Sequence, residues 1–265
     1  MPVETSVVIP NYNNEPYIAT CLEAVLANPG KNEVIVVDDA STDNSPNIIR
    51  KFPVRLIRNE NNSGPTKARN IGVREATGEH LLFLDGDAAI DKDYIPTLSD
   101  FLETHPLTGV VSGRVVESST GERMWYNFGY DAAPLRDGVA TILHDQVLKH
   151  WDNLRLRRFL STIATPFTLN LVDDRQRKVD WVVEMGFMTR RALFEQLGAL
   201  DEGFVMFYEG PDYCRRVRNA GFEVWYTPDS SIYHLGEHSH SSETRQKFFD
   251  DSRIRYYEKY PTNPL

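Results

Sequence analysis

Short apolar runs alternate with segments whose apolar residues recur at helical spacing. Ser6-Val7-Val8-Ile9, Val34-Ile35-Val36-Val37 and Leu81-Leu82-Phe83-Leu84 have the length and continuity of strands buried on both faces of a parallel sheet. Val54 to Ile57 reads as one more strand. Between these runs lie three helical segments. The first spans about Glu15 to Leu26, with Pro29-Gly30 beyond its end. The second opens with Ser45 as N-cap and Pro46 behind it, and runs to about Phe52. The third, Thr66 to Ala76, stops at Gly78. A helix from about Tyr94 to His105 and a strand from Val110 to Val116 follow. Repeated strand–helix units at this spacing predict an α/β fold with a doubly wound, mostly parallel sheet.

Residues 117–178 break the rhythm. They are polar, with scattered aromatics (Trp125, Tyr126, Phe128, Tyr130) and two basic patches, Arg155-Leu156-Arg157-Arg158 and Arg175-Gln176-Arg177-Lys178. The segment reads as a partly helical insertion at one edge. Its basic patches suit either solvated helix faces or contact with an anionic acceptor or membrane surface. Regular signals resume at Trp181. Helices are expected from Arg191 to Leu197, before Gly198, and from about Pro211 to Ala220, before Gly221. Strands Glu223–Tyr226 and Ser231–Tyr233 follow, then a final amphipathic helix from Thr244 to Tyr257.

Composition narrows the function. A chain of 265 residues buries roughly three quarters of its extended surface, and one domain with an insertion is the natural expectation. The balance of 29 basic and 38 acidic residues gives a formal charge of −9, against the basic footprint of nucleic-acid binders. Phosphate-bearing small molecules stay open, because a divalent cation bridges acidic side chains to an anion. Cys21 and Cys214 fall in helical segments and read as core thiols rather than a disulfide framework. Apolar stretches are too short to span a membrane, and the N-terminus lacks the pattern of a signal peptide. A soluble, cytoplasmic protein is expected, with peripheral contact at the inner face of the membrane as an option.

Candidate chemistry gathers where strands end, which in open α/β sheets is where ligands bind. Asp85-Gly86-Asp87 follows Leu84 directly. Paired hard oxygens at such an edge hold Mg²⁺ or Mn²⁺ together with substrate phosphates, although Asp and Gly also make plain turns. After the first strand, Pro10-Asn11-Tyr12-Asn13-Asn14-Glu15 offers amides and a carboxylate for a base or ribose, and Tyr12 for stacking, or a simple turn. After the second, Asp38-Asp39-Ala40-Ser41-Thr42-Asp43 offers a carboxylate to an imide N–H, or an N-cap. Lys67 and Arg69 are read into the first turn of the Thr66 helix, where the macrodipole disfavours cations by about 0.3–1 kcal/mol each. A phosphate completing the site resolves that conflict; flexible, solvated side chains are the alternative.

Taken in order, Pro10-Asn11-Tyr12-Asn13, Val36 to Asp43, Asn62-Ser63-Gly64 leading to Ala68-Arg69-Asn70-Ile71-Gly72, Gly78-Glu79 and Phe83-Leu84-Asp85-Gly86-Asp87 resemble family 2 glycosyltransferases. Asp180-Trp181-Val182, Arg190-Arg191, Leu197-Gly198, Leu200-Asp201-Glu202, Tyr208-Glu209, Asp212 to Arg215 and Ala220-Gly221-Phe222 resemble the rhamnosyltransferase-like branch. The resemblance covers nearly everything except 117–178. It implies a GT-A-type fold and inverting sugar transfer from a nucleotide diphosphate sugar. It divides the single domain into a nucleotide-sugar-binding half (1–116), an acceptor-side insertion (117–178), a catalytic half (179–243) and a C-terminal helix (244–265). It implies that Pro10, Tyr12, Glu15 and Asp39 hold the nucleoside, with Arg69 near the pyrophosphate; Lys67, Asp85 and Gly86 are further candidates for binding the nucleotide sugar. It puts the metal, Mn²⁺ or Mg²⁺, on Asp85 and Asp87, with His234 completing the site and His238 and His240 nearby.

One departure matters. The family's Glu-Asp-x-Asp reads Glu209-Gly210-Pro211-Asp212 here, so the usual base falls on a glycine. A general base must lie within about 3 Å of the acceptor hydroxyl, directly or through one water. Glu209 is the first replacement expected and Glu184 the second, since 184 is usually small in relatives and the two changes would compensate. Asp212 is third, being drawn toward capping its helix. The alternative is a catalytically impaired sugar-nucleotide-binding protein. A nucleotidylyltransferase would need a Gly-rich, basic loop after the first strand, which Pro10-Asn11-Tyr12-Asn13 does not provide. UDP-sugars lead as donors by analogy, with dTDP-rhamnose and GDP-sugars open. The acceptor expected is a growing surface polysaccharide or lipid-linked glycan. The last helix, with Phe248-Phe249, Arg253, Ile254 and Arg255, suits either an anionic membrane or packing on the domain.

Overall fold

The computed structural model of the chain describes residues 3–118, 128–129, 175–236 and 242–261. Its first half follows the alternation read from the sequence: β1 (Thr5–Asn11), α1 (Ile18–Leu26), β2 (Asn32–Asp38), α2 (Ser45–Ile49), β3 (Arg55–Arg58), α3 (Pro65–Arg74), β4 (His80–Phe83), β5 (Ala88–Ile90), α4 (Tyr94–Thr104) and β6 (Thr108–Glu117). Then come β7 (Phe128–Gly129), β8 (Arg177–Val179), β9 (Trp181–Val182), β10 (Phe187–Arg190), α5 (Arg191–Leu197), α6 (Glu209–Asn219), β11 (Glu223–His234) and α7 (Ser242–Lys259).

Among the described residues the main sheet runs β3-β2-β1-β4-β10-β6-β11-β5, with β8 also on β11. β1 to β4 are parallel, β10 is inserted antiparallel between β4 and β6, and β6 and β11 are parallel. Alternate residues of the apolar runs serve opposite layers. Val7, Ile9, Leu82 and Leu84 pack with α1 and α4, whereas Val8, Leu81 and Phe83 pack with α5 and α6. α3 lies close over β1, since a Cβ at Gly72 would overlap the Val8 side chain. Cys21 and Cys214 are buried free thiols.

Three differences from the sequence reading have local causes. The two strands expected around Pro228-Asp229 are one strand, β11, with a register shift between Tyr226 and Ser231 that absorbs the proline. α6 starts at Glu209, ahead of Pro211, because a first-turn residue needs no N–H partner. β5, too short to show a pattern, forms only because it pairs with Ile232 to His234. Of the expected insertion, β7 and β8 are described; Arg155 to Arg158 lie outside the described residues. α7 packs through Phe249 and Tyr256 on Phe204, Phe207 and Tyr208, and Tyr260 just past its end donates to Asp212. No described helix is long and apolar enough to cross a membrane.

Candidate active site

The ends of β1 and β2 are sewn together. Asn11 Nδ2 donates to Asp38 Oδ1 at 2.8 Å and to the hydroxyls of Ser41 and Ser45 at 3.2 and 3.0 Å. Asn13, left-handed at φ 53°, accepts the Thr42 N–H at 2.9 Å. Glu15 is exposed and accepts the Asn44 N–H at 3.1 Å. Pro10 is buried and Tyr12 half-buried. Asp39 is 3% exposed and fully engaged. It accepts from Asn59 Nδ2 (2.7 Å), the Ser63 hydroxyl (2.9 Å) and the backbone N–H groups of Ser63 (2.8 Å) and Gly64 (2.7 Å). It thus pins the turn that opens α3, and an imide N–H would have to displace one of these donors.

The expectation for Lys67 and Arg69 divides. α3 begins at Pro65, so Lys67 is an exposed first-turn residue and Arg69 lies one turn deeper. Arg69 is 3% exposed, because it points to Asp85 and to Glu209 at the start of α6 rather than to solvent. It donates to Asp85 Oδ1 at 2.5 Å and to Glu209 Oε1 at 3.0 Å. Burial disfavours its charge, but Asp85, Glu209 and Glu184 together raise its pKa above the ordinary value. Glu209 is 2% exposed. Burial, then the nearby Glu184 charge, push its carboxyl well above the usual range.

Glu184 sits in the loop between β9 and β10 and is only half-buried. Its Oε1 accepts the Gly210 N–H. A Cβ at 210 would fall on this carboxylate, 2.7 Å from its Cδ. Burial also raises the Glu184 carboxyl, with Arg69 opposing. The loop is clamped at Gly186 (φ 85°), whose N–H donates to Phe83 O at 2.7 Å and whose carbonyl accepts Tyr94 Oη–H at 2.5 Å. Asp212 does not cap α6. It is 0% exposed and accepts from Arg216 Nε (2.9 Å), Tyr260 Oη (2.8 Å) and Lys259 Nζ (2.6 Å), which ties α6 to α7. Before α6, Phe207 and Tyr208 are both left-handed, at φ 67° and 65°. Bulky residues rarely adopt that geometry, and here the α7 aromatics hold it.

The acidic triplet splits the same way. Asp85 turns to Arg69, whereas Asp87 Oδ2 lies 3.5 Å from His234 Nε2. His234 Nδ1 is 3.3 Å from Glu117 Oε2, the residue opposite it in the β6–β11 register. Burial works against the imidazolium, but Asp87 and Glu117 push its pKa up to about 9. Among the described residues no three His, Cys, Asp or Glu side chains converge as metal ligands, so Asp85 is not brought to Asp87 and His234. Asp87 and His234 nevertheless offer adjacent oxygen and imidazole donors, a set that suits Mn²⁺. Gly86 packs close to the first loop: a Cβ there would be 2.8 Å from the side-chain end of Asn14 and 3.3 Å from Pro10 O. Sequence reasoning missed Glu117; its only signal was its place at the end of a strand beside β11. His238 and His240 lie outside the described residues.

Comparison with known proteins identifies the family and the fold. The model of the family described as "Glycosyl transferase family 2" matches residues 6–198. The glycosyltransferase GlyG of Streptococcus pneumoniae serotype 4 is 34% identical over 148 residues, 53% of this chain and 49% of GlyG. The poly(ribitol-phosphate) β-N-acetylglucosaminyltransferase TarS of Staphylococcus aureus is 36% identical over 108 residues, 38% of this chain and 19% of TarS. This chain therefore matches about half of the first relative and a fifth of the second. Among solved structures, GalNAc-T7 with UDP, GalNAc and Mn²⁺ superimposes with TM-score 0.65 at 16% identity, covering 97% of this chain and 48% of that one. The mannosyltransferase PcManGT from Pyrobaculum calidifontis, with GDP-Man and Mn²⁺, gives 0.65 at 18% identity, covering 100% and 67%. At such identities these two neighbours establish the shared fold alone.

Proposed function

The chain belongs to glycosyl transferase family 2 and has a GT-A-type fold, and from that premise we propose that it moves a hexosyl or deoxyhexosyl group from a nucleotide diphosphate sugar to a glycan or lipid-linked acceptor, with inversion and with a divalent metal. The observation that carries this reading is the meeting of three strand-end loops at one place: Pro10–Glu15, Asp39 with its Ser63–Gly64 turn, and Asp85–Asp87 beside buried Arg69. A doubly wound sheet puts its ligand at such a carboxyl edge.

In this reading Pro10, Tyr12, Glu15 and Asp39 frame the nucleoside. Arg69, Lys67 and the Asp85-Gly86 turn face the pyrophosphate. Asp87 and His234 hold Mn²⁺ or Mg²⁺, joined by Asp85 if it exchanges Arg69 for the ion. The metal would neutralise charge on the departing diphosphate. The acceptor hydroxyl gives its proton to a carboxylate of this chain and attacks the anomeric carbon, whose bond to the phosphate oxygen breaks. UDP leads as donor nucleotide, since GalNAc-T7 and TarS have been crystallised with UDP. GDP-sugars follow from the mannosyltransferase, and the rhamnosyltransferase-like motifs keep dTDP-rhamnose in view. Polysaccharide or lipid-linked glycan synthesis in the cytoplasm, near the membrane, is the setting proposed. An impaired sugar-nucleotide binder is the second reading. Gly210 favours it, and the Glu184 carboxylate packed on Gly210 weighs against it.

A thermal-shift panel of UDP, GDP, dTDP and their sugars, with and without Mn²⁺, tests the proposal. A ligand at 100 times its Kd adds about 2.7 kcal/mol. No metal-dependent shift with any nucleotide would overturn it.

A further inference from the structure

We propose that Glu184, and not Glu209, is the carboxylate that takes the proton from the acceptor hydroxyl. The inference rests on the transferase reading above. A general base must be anchored, must reach the cleft, and must keep a lone pair for the incoming proton. Glu209 fails the second condition, being 2% exposed with Oε1 on Arg69; it is the counter-ion of a buried guanidinium. Asp212 fails the second and third, at 0% exposed with three donors on its two oxygens. Asp85 is bound to Arg69.

Glu184 meets all three. It is half-buried as a residue, whereas Glu209 and Asp212 are fully buried. Its carboxylate is anchored through Oε1 on the Gly210 N–H, and no side-chain cation is hydrogen-bonded to it, unlike those of Glu209, Asp212 and Asp85. Its backbone is fixed two residues on, where Gly186 is held by Phe83 O and Tyr94 Oη. The glycine at 210 is part of the same design. Glu184 occupies the volume that any 210 side chain would fill, so the two positions share one carboxylate-sized space. In the transfer, Glu184 accepts the proton as the acceptor oxygen bonds to the anomeric carbon. The bond from that carbon to the phosphate oxygen breaks, the nucleoside diphosphate leaves with its electron pair, and the proton passes from Glu184 to solvent.

The test uses the full chain with Mn²⁺ and UDP-GlcNAc, GDP-mannose or dTDP-rhamnose as donor, following nucleoside diphosphate release with water as acceptor, and nucleotide affinity by calorimetry. Glu184→Gln should lower release at saturating donor by about 100-fold or more and leave nucleotide affinity within about threefold. Glu209→Gln should act on affinity or KM, through Arg69, more than on kcat. Gly210→Asp alone should lower Tm by about 5 °C or more through overlap with Glu184. The double variant Glu184→Gly with Gly210→Asp should recover that loss and exceed Glu184→Gly in release by about tenfold. Wild-type release rates in Glu184→Gln, with loss confined to kcat in Glu209→Gln, would overturn the assignment alone. A wild-type protein that binds none of the nucleotides, or binds them without releasing product from any donor, would overturn the transferase reading together with it.

Discussion

Replacing Tyr94 by Phe removes a single oxygen from the centre of the molecule. Tyr94 is 0% exposed, and its hydroxyl donates to Gly186 O at 2.5 Å and accepts the Gly113 N–H at 2.9 Å. Phenylalanine keeps the ring and its packing. The Gly186 carbonyl then loses this donor, and the Gly113 N–H this acceptor. A buried polar group left unsatisfied costs about 1–3 kcal/mol, so loss of the donor to the Gly186 carbonyl should cost about 1–3 kcal/mol. Space is tight: a Cβ at Gly113 would be 3.0 Å from the hydroxyl and would overlap the ring edge, which disfavours a replacement water. In a chain of this size each kcal/mol moves Tm by about 2–4 °C, so a fall of about 2–12 °C is expected. Urea unfolding should show a lower midpoint at unchanged m. A loss below about 0.5 kcal/mol would refute the bonding argument. Because Gly186 lies two residues from Glu184, kcat for nucleotide release should also fall while nucleotide affinity holds. Lost stability at unchanged kcat would show that the clamp does not position Glu184.

Other outcomes follow from the same geometry. Asp39→Asn cannot accept all four donors at the head of α3, so urea melts should show a loss of about 1–3 kcal/mol, along with weaker nucleotide binding. Burial, then Glu184, raise the Glu209 pKa, so above the ordinary value of 4.5 the folded chain binds more proton than the unfolded one, and this group's contribution to stability falls as pH rises toward its folded pKa. Glu209→Gln should flatten that slope in melts between mildly acidic and mildly alkaline buffer; an unchanged slope would contradict it. His234→Gln should remove the Mn²⁺-dependent part of the nucleotide thermal shift and spare the metal-free part. Ile254 is 55% exposed on α7, so Ile254→Glu should reduce co-sedimentation with anionic liposomes if this face meets a membrane, without changing Tm.

What the sequence disclosed depended on how local the cause was. The strands of the first half were legible because burial on both faces forces continuous apolar runs. The triplet after Leu84 was legible because strand ends collect polar groups. Gly210 stood out as a glycine, but the neighbour that fills its side-chain space, Glu184, is brought near only by the fold. Arg69 looked like an awkward cation because its two carboxylates are remote in sequence, Glu209 by 140 positions. Asp212 suggested a cap, since its partners Lys259 and Tyr260 sit on the far side of β11 in the chain. β5 carries no periodic signal of its own; pairing with β11 makes it a strand.

The contact between Glu184 and Gly210 also constrains the order in which substitutions are accepted here. With a glutamate at 184, any side chain at 210 collides with a carboxylate that the same helix turn is holding by its backbone. With a small residue at 184 and glycine at 210, the space is empty and the turn has lost its acceptor. Neither single step is neutral, so the two positions are best exchanged as a unit. A library that varies 210 alone will collect destabilised proteins and record glycine as indispensable. A library that varies both together will find that what must persist is one acid in that space, whichever loop or helix supplies it.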